Sequence, residues 1–122
     1  MIALDHLILR TRRAAESAEF YARVLGFEHE GRRGPFETVR VNDGLVLDLL
    51  EGDVREPAHL AFRLERSEFE AIHRRLVDRD IPFGGGPFDR DGAIGRTLGA
   101  RGMADALYFH DPDGHNIEIR IG

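Results

Sequence analysis

The pattern of apolar and polar positions predicts strands and a helix in the first half of the chain and the same order again in the second half. The first half predicts a strand over residues 2–9, with Ile2, Leu4, His6 and Ile8 on one face. Residues 14–27 predict a helix that ends at Gly26, and residues 36–41 and 45–50 predict two strands joined by an Asp-Gly turn. The first half therefore has the order β-α-β-β, and a short additional strand near residues 27–29 would make it β-α-β-β-β.

The second half repeats this order. Residues 59–64 predict a strand, and Ser67 with Glu70 forms a Ser-x-x-Glu capping box that predicts the start of a helix. Residues 116–121 predict the final strand. Residues 84–105 hold seven of the 14 glycines, which predicts either a mobile lid or a disordered surface loop.

Aligning the two halves pairs residues that carry chemistry. A shift of 53 residues places His6 on His59, and a shift of 70 places Asp48 on Glu118. The pseudo-repeats span residues 1–52 and 57–122. Because neither half alone can bury enough apolar surface, we expect the two to pack together.

Composition narrows the chemistry further. The chain has 122 residues, 42% of them apolar and 32% charged, as is typical of one soluble globular domain. Cys and Lys are absent, which excludes a Cys nucleophile, a disulfide and a Schiff-base Lys. Six His, 22 acidic residues and two Tyr remain, and these are the residue types of metal binding and acid-base catalysis.

The charge and the apolar segments argue against two kinds of partner. The net charge is −5 and the Arg residues are scattered among acidic ones, which disfavours nucleic acid as a partner. No segment reaches the roughly 18 apolar residues of a membrane span. The N-terminus lacks the basic region and cleavage site of a signal peptide. We therefore expect a cytoplasmic protein with no membrane partner.

Two imidazoles and one or two carboxylates on separate strands predict a metal site. His6, His59, Glu118 and, more weakly, Asp48 would bind one divalent ion of Fe, Mn, Ni, Co or Zn. Taken singly, His6 is more typical of a hydrogen-bonded core residue and Glu118 of an exposed strand carboxylate. Asp48 lies in the apolar run VLDLL, where an unpaired carboxylate would be costly to bury.

Four segments resemble the vicinal oxygen chelate superfamily, namely DHLILR, AEFYARVLGFE, HLAFRL and YFHDPDGHNIEI. That superfamily includes glyoxalase I, extradiol dioxygenases, fosfomycin-resistance enzymes, methylmalonyl-CoA epimerase and bleomycin-binding proteins. The resemblance implies one α+β domain, residues 1–122, in which two tandem β-α-β-β-β modules form a curved, barrel-like mixed sheet with helices outside. It also places His6, His59 and Glu118 on the metal-ligand positions and Asp48 where glyoxalase I carries a further carboxylate.

The resemblance implies a divalent-metal-dependent enzyme that acts on a small oxygenated, anionic metabolite. Glyoxalase-like isomerase or lyase chemistry is favoured, because Asp48 offers a fourth ligand and Glu118 or Asp48 a base. The alternatives are a small ring-cleaving, extradiol-type dioxygenase and a metal-free protein that binds or sequesters an antibiotic or other small molecule. Fosfomycin-type thiol transferases are disfavoured, since Ile8 stands where they have Thr and the chain has no Lys. A homodimer is expected.

Further residues are candidates for catalysis or substrate binding. Tyr108 shares strand parity with His110 and is a candidate acid or hydrogen-bond donor. His110 and His115 flank the Asp-Pro-Asp-Gly turn, and we expect both to face solvent rather than bind metal. Four arginines are candidates for holding an anionic substrate. They are Arg10, Arg63, Arg120 and Arg101.

Overall fold

The computed structural model describes residues 1–122 and divides them into two compact units, residues 1–57 and 58–122. Each unit has a mixed sheet and one principal helix. The predicted α+β class and the tandem β-α-β-β-β plan are confirmed, with the strands arranged in one sheet of four and one of five. Neither helix has the length and apolar character that crossing a membrane requires.

The first unit contains four strands in the order β1-β4-β3-β2, and β1 runs parallel to β4. Gly26 ends the helical region in the left-handed conformation, with φ of 80°, as the sequence predicts. The core includes Leu47 and Leu49, which alternate along β4. The elements are β1 His6–Thr11, α1 Ala14–Phe20, a π-helical segment Tyr21–Leu25, β2 Glu28–Arg33, β3 Phe36–Asn42 and β4 Leu45–Glu51.

The predicted start of the first strand is wrong. Residues 1–5 lie outside β1, and Ile2 and Leu4 are exposed. The cause is the point at which the partner strand begins. β4 begins at Leu45, and its next residue already pairs with His6. Residues 2–4 therefore have no strand to pair with.

The second unit contains five strands, ordered β5-β9-β8-β6 with β7 paired to β8. Ile117 and Ile119 of β9 are fully buried, as are apolar residues of α2 such as Leu76. The elements are β5 His59–Leu64, α2 Arg66–Asp78, β6 Phe83–Gly84, β7 Gly95–Gly99, β8 Gly102–His110 and β9 Asn116–Ile121.

The capping box of α2 lies two residues earlier than predicted. Glu65 is the N-cap residue, and its side chain and that of Glu68 make the reciprocal bonds to the backbone. The prediction from Ser67 and Glu70 is wrong because the helix begins almost directly after β5 ends at Leu64. Glu65 is the residue with extended backbone angles at that junction.

The glycine-rich stretch is largely ordered. Residues 95–110 form the antiparallel hairpin β7–β8, in which Gly99 pairs with Gly102 at the turn. The prediction of a mobile or disordered loop is therefore wrong for this part. The strand signal is weak in the sequence because glycines occupy both ends of β7.

The two units share one strand register. In the first unit, the residue paired with His6 lies two positions before Asp48. In the second unit, the residue paired with His59 lies two positions before Glu118. Since side chains alternate along a strand, each unit presents its His and its carboxylate on one face of adjacent parallel strands.

Candidate functional site

The second unit brings His59 and Glu118 together. The imidazole Nε2 of His59 lies 3.1 Å from Oε1 of Glu118. The His59 side chain is 47% exposed, whereas that of Glu118 is 6% exposed. One accessible nitrogen and one buried carboxylate oxygen therefore point toward each other at the sheet face.

His115 holds the start of the strand that carries His59. Its Nδ1 accepts a hydrogen bond of 2.8 Å from the backbone N–H of Ala58, and the Ala58 carbonyl accepts one of 2.8 Å from the N–H of Asn116. The backbone N–H and carbonyl of Ala58 are thus both hydrogen-bonded to the turn and strand that lead to Glu118. His59 is thereby set in register with β9.

The prediction that His115 faces solvent is wrong. Only 1% of its surface is exposed. The Asp111 carboxylate explains this, because it accepts the backbone N–H groups of Asp113 and His115, each at 2.9 Å. This folds the turn back and directs the His115 ring inward. His110 is exposed, as predicted.

Arg120 binds the other oxygen of Glu118. Its Nη1 donates to Glu118 Oε2 at 2.7 Å, and its Nη2 donates to the carbonyls of Thr97 and Gly102, each at 2.9 Å. The residue is buried. Its guanidinium therefore lies among protein groups.

Tyr108 and Thr97 complete the polar cluster. The Tyr108 hydroxyl donates to Thr97 Oγ1 at 3.0 Å, and Thr97 Oγ1 lies 3.5 Å from Glu118 Oε2. The Tyr108 ring stacks on that of His59, with centroids 5.9 Å apart and an interplanar angle of 22°. Burial raises the pKa of the Tyr108 phenol, so the hydroxyl keeps its proton at neutral pH. Thr97 lies in the glycine-rich stretch, within β7, where the sequence pattern did not indicate a strand.

The first unit carries the other two candidate ligands. His6 is half exposed, and its Nδ1 lies 2.7 Å from Asp5 Oδ2, a hydrogen bond that raises the pKa of His6. Asp48 accepts a hydrogen bond of 2.7 Å from the Thr38 hydroxyl. Thr38 therefore satisfies the partly buried carboxylate whose environment the sequence left unexplained.

The three remaining candidate arginines are exposed. Arg10 borders a surface cavity of about 650 Å³ together with Asp53, Arg55 and Glu56. Arg63 and Arg101 are exposed on the second unit.

The donors in the second unit fit a metal ion in part. Two donors that are each about 2.1 Å from one ion, at right angles, lie about 3.0 Å apart. The 3.1 Å between His59 Nε2 and Glu118 Oε1 matches this spacing. No group of three or more His, Cys, Asp or Glu side chains lies close enough together to hold a metal. The pair therefore needs further donors, and His6 and Asp48 are the candidates from the sequence.

A protein-family model matches nearly the whole chain, and curated proteins match part of it. The model of the Glyoxalase/Bleomycin resistance protein/Dioxygenase superfamily matches residues 3–119. The chain is 36% identical over 64 residues to metallothiol transferase FosB of Staphylococcus saprophyticus, covering 52% of this chain and 36% of that protein. FosB of Shouchella clausii is 29% identical over 76 residues, covering 62% and 46%. The chain thus spans less than half the length of these curated relatives.

Solved structures match over nearly the whole chain. Oxidase ChaP-H2 has a TM-score of 0.88 and 32% identity, covering 99% of this chain and 94% of that one. Oxidase ChaP-H1 has a TM-score of 0.87 and 31% identity, covering 100% and 97%. The fosfomycin resistance protein FosX from Listeria monocytogenes, at 18% identity and a TM-score of 0.69, shares the fold; it covers 100% of this chain and 94% of its own.

Proposed function

Because the chain belongs to the Glyoxalase/Bleomycin resistance protein/Dioxygenase superfamily, we propose that it is a divalent-metal-dependent enzyme acting on a small oxygenated metabolite. The curated relative FosB is named a metallothiol transferase, and His and Glu are residue types that bind divalent metals. The observation that carries the proposal is the 3.1 Å approach of His59 Nε2 to Glu118 Oε1. His6 is the proposed third ligand and Asp48 a weaker fourth.

The residues around the proposed ligands suit this role. The hydrogen bond that His6 Nδ1 donates to Asp5 leaves Nε2 as the metal-binding nitrogen, an arrangement common among metal-binding histidines. A divalent ion of Fe, Mn, Ni, Co or Zn would supply Lewis acidity toward neighbouring oxygens of the substrate. In this proposal Glu118 also accepts a proton from the substrate.

Tyr108 is the proposed hydrogen-bond donor to the substrate, for which its hydroxyl turns from Thr97 Oγ1 to the substrate. Its phenol is protonated at neutral pH because burial raises its pKa, and its ring lies against that of His59. Exposed arginines are the proposed contacts for an anionic group of the substrate. They are Arg10, Arg63 and Arg101.

Oxygen-dependent oxidation is the reaction that the comparisons favour. The two oxidases align with almost the entire chain at 32% and 31% identity. Isomerase or lyase chemistry is the second candidate, and Asp48 supports it because its strand position corresponds to that of Glu118. The FosB matches are partial, and Ile8 and the absence of Lys still disfavour thiol transfer to fosfomycin.

The two reactions differ in their need for oxygen. Chelator-stripped protein is reloaded separately with Fe(II), Mn(II), Ni(II), Co(II) or Zn(II) and offered catechols, hydroquinones and hemithioacetals, in air and under argon. Oxygen consumption that accompanies turnover supports oxidation, whereas equal turnover under argon supports the isomerase or lyase.

The matched variants are Glu118→Gln, which removes the proposed ligand, and Glu70→Gln, an exposed carboxylate on α2. Glu118→Gln should abolish turnover while Glu70→Gln retains it. Tight binding of a small molecule without metal uptake or turnover would instead indicate a sequestering protein and contradict the proposal.

A further inference from the structure

Arg120 is a buried arginine that lies on β9 close to Glu118. It lies two residues after Glu118 on the same face of β9, with 5% of its surface exposed. A buried guanidinium is unfavourable unless its N–H groups are satisfied. The groups that satisfy it therefore indicate what the side chain does.

Four hydrogen bonds join Arg120 to its surroundings. Nη1 donates to Glu118 Oε2 at 2.7 Å and to Thr97 Oγ1 at 3.2 Å. Nη2 donates to the carbonyls of Thr97 and Gly102 at 2.9 Å each. Since a guanidinium has five N–H groups, these bonds leave no free fork for a substrate carboxylate or phosphate. The contacts thus favour a role toward Glu118 over substrate binding.

These bonds restrict the orientation of the Glu118 carboxylate. The terminal torsion of a glutamate is soft, so an unrestrained carboxylate turns over a wide range. Here Oε2 is held by Arg120, while Oε1 lies 3.1 Å from His59 Nε2. The guanidinium therefore directs one chosen oxygen toward the imidazole.

Gly99 provides the space for this arrangement. A Cβ at Gly99 would lie 2.6 Å from Nε and 2.7 Å from Nη2 of Arg120, closer than real Cβ contacts allow. The strand end opposite Gly102 therefore accepts the guanidinium because residue 99 has no side chain.

We propose that Arg120, seated against Gly99, is a positioning residue that orients Glu118 for metal binding beside His59. This inference rests on the proposed metal site. It assigns to Arg120 a contribution to metal affinity, made through Glu118 and without contact to the metal or to the substrate.

The first test uses Co(II) as the probe. Chelator-stripped protein is titrated with Co(II) and followed by visible absorption, which reports both affinity and ligand geometry. Arg120→Met should weaken binding by about 10- to 100-fold and change the absorption spectrum. Arg120→Lys, which keeps the charge but loses the fork, should recover part of the affinity.

The matched control is Arg96→Met on the same hairpin. Arg96 is 63% exposed and pairs with Asp105 on the surface, so its loss should leave Co(II) affinity within about twofold of wild type. If Arg120→Met fails to fold, Gly99→Ala replaces it, because the added methyl displaces the guanidinium while every charge is retained. Gly99→Ala should weaken Co(II) binding in the same direction.

A second measurement needs no metal. At a fixed pH, the imidazole ¹⁵N shifts of His59 in the metal-free protein report its contact with Glu118. Arg120→Met or Gly99→Ala should move these shifts, whereas Arg96→Met should not. If wild type binds no Co(II), the proposed metal site fails, and the His59 shifts still decide the role of Arg120. Unchanged His59 shifts in a folded Arg120→Met or Gly99→Ala variant overturn the inference, as does unchanged Co(II) affinity.

Discussion

At the scale of single residues, hydrogen bonds to neighbouring groups position the candidate ligands. The sequence repeat matches His6 with His59 and Asp48 with Glu118, and the structure brings His59 Nε2 within 3.1 Å of Glu118 Oε1. The repeat did not predict the bonds made by His115 and Arg120, because these reach the backbone of residues distant in the sequence, such as Ala58 and Gly102. Such contacts follow from the packing of strands, which no local pattern encodes.

Replacing His115 with Ala should destabilise the protein. The change removes a buried ring and leaves the N–H of Ala58 without its acceptor. We expect the free energy of unfolding to fall by about 2–4 kcal/mol. His110→Ala, at an exposed position, should lower it by about 1 kcal/mol or less. Urea denaturation checks both, and equal losses would contradict the role assigned to His115.

The ion pair between Glu30 and Arg40 should make stability depend on pH. The hydrogen bond from Arg40, at 2.7 Å, lowers the pKa of Glu30 below its ordinary value of 4.5. A lowered folded-state pKa contributes stability above the unfolded value, and this contribution is lost as pH falls through the folded value.

Glu30→Gln should therefore be less stable than wild type at pH 7. As the pH falls, the stability of Glu30→Gln should decrease less than that of wild type. Urea midpoints at pH 7 and at several values below 4.5 measure this difference. Glu70→Gln, an exposed carboxylate, is the control. A Glu30→Gln profile parallel to that of wild type would show that the pair has no such effect.

At the scale of the elements, periodicity predicted most strands and both helical regions, and β5 and β9 have the predicted bounds. The errors occur where pairing decides the outcome. β1 starts late because its partner β4 begins only at Leu45, and β7 was missed because glycines mask its strand pattern. Element ends thus depend on partners that lie far along the chain.

Substitutions at the start of α2 test whether the capping box lies at Glu65 and Glu68, as in the structure, or at Ser67 and Glu70, as predicted from the sequence. Glu65→Ala should lower the free energy of unfolding by about 1 kcal/mol, since it removes the reciprocal bonds with Glu68. Ser67→Ala should change it little. Urea denaturation of the two variants gives the answer, and a larger loss for Ser67→Ala would restore the capping box read from the sequence.

At the scale of the whole molecule, we predict a homodimer. The first unit exposes apolar side chains near an edge strand. Leu4 is 63% and Ile8 49% exposed, and β1 pairs only with β4 within its sheet. Light scattering at micromolar concentration should give twice 13.8 kDa.

Substitutions can locate the dimer contact. The double variant Leu4→Glu, Ile8→Glu should lower the measured mass toward that of one chain. Phe88→Ser, in the second unit and 95% exposed, should leave the mass unchanged. A monomeric wild type at micromolar concentration would refute the dimer.

The repeat was informative at this scale because both units keep the same strand register, in which His6 corresponds to His59 and Asp48 to Glu118. It could not show which groups complete the donor set. His6 and Asp48 belong to the first unit, and side-chain periodicity records only the neighbours within one sheet.

Metal content of the native protein tests the central claim most directly. Protein purified without chelator or His-tag is analysed for Fe, Mn, Ni, Co and Zn, with His59→Ala and Glu118→Ala beside it and His73→Ala, on α2, as the control. We predict near-stoichiometric metal in wild type and His73→Ala, and its loss in the other two variants. A wild type that is empty and takes up none of these metals when they are added would contradict the proposed site.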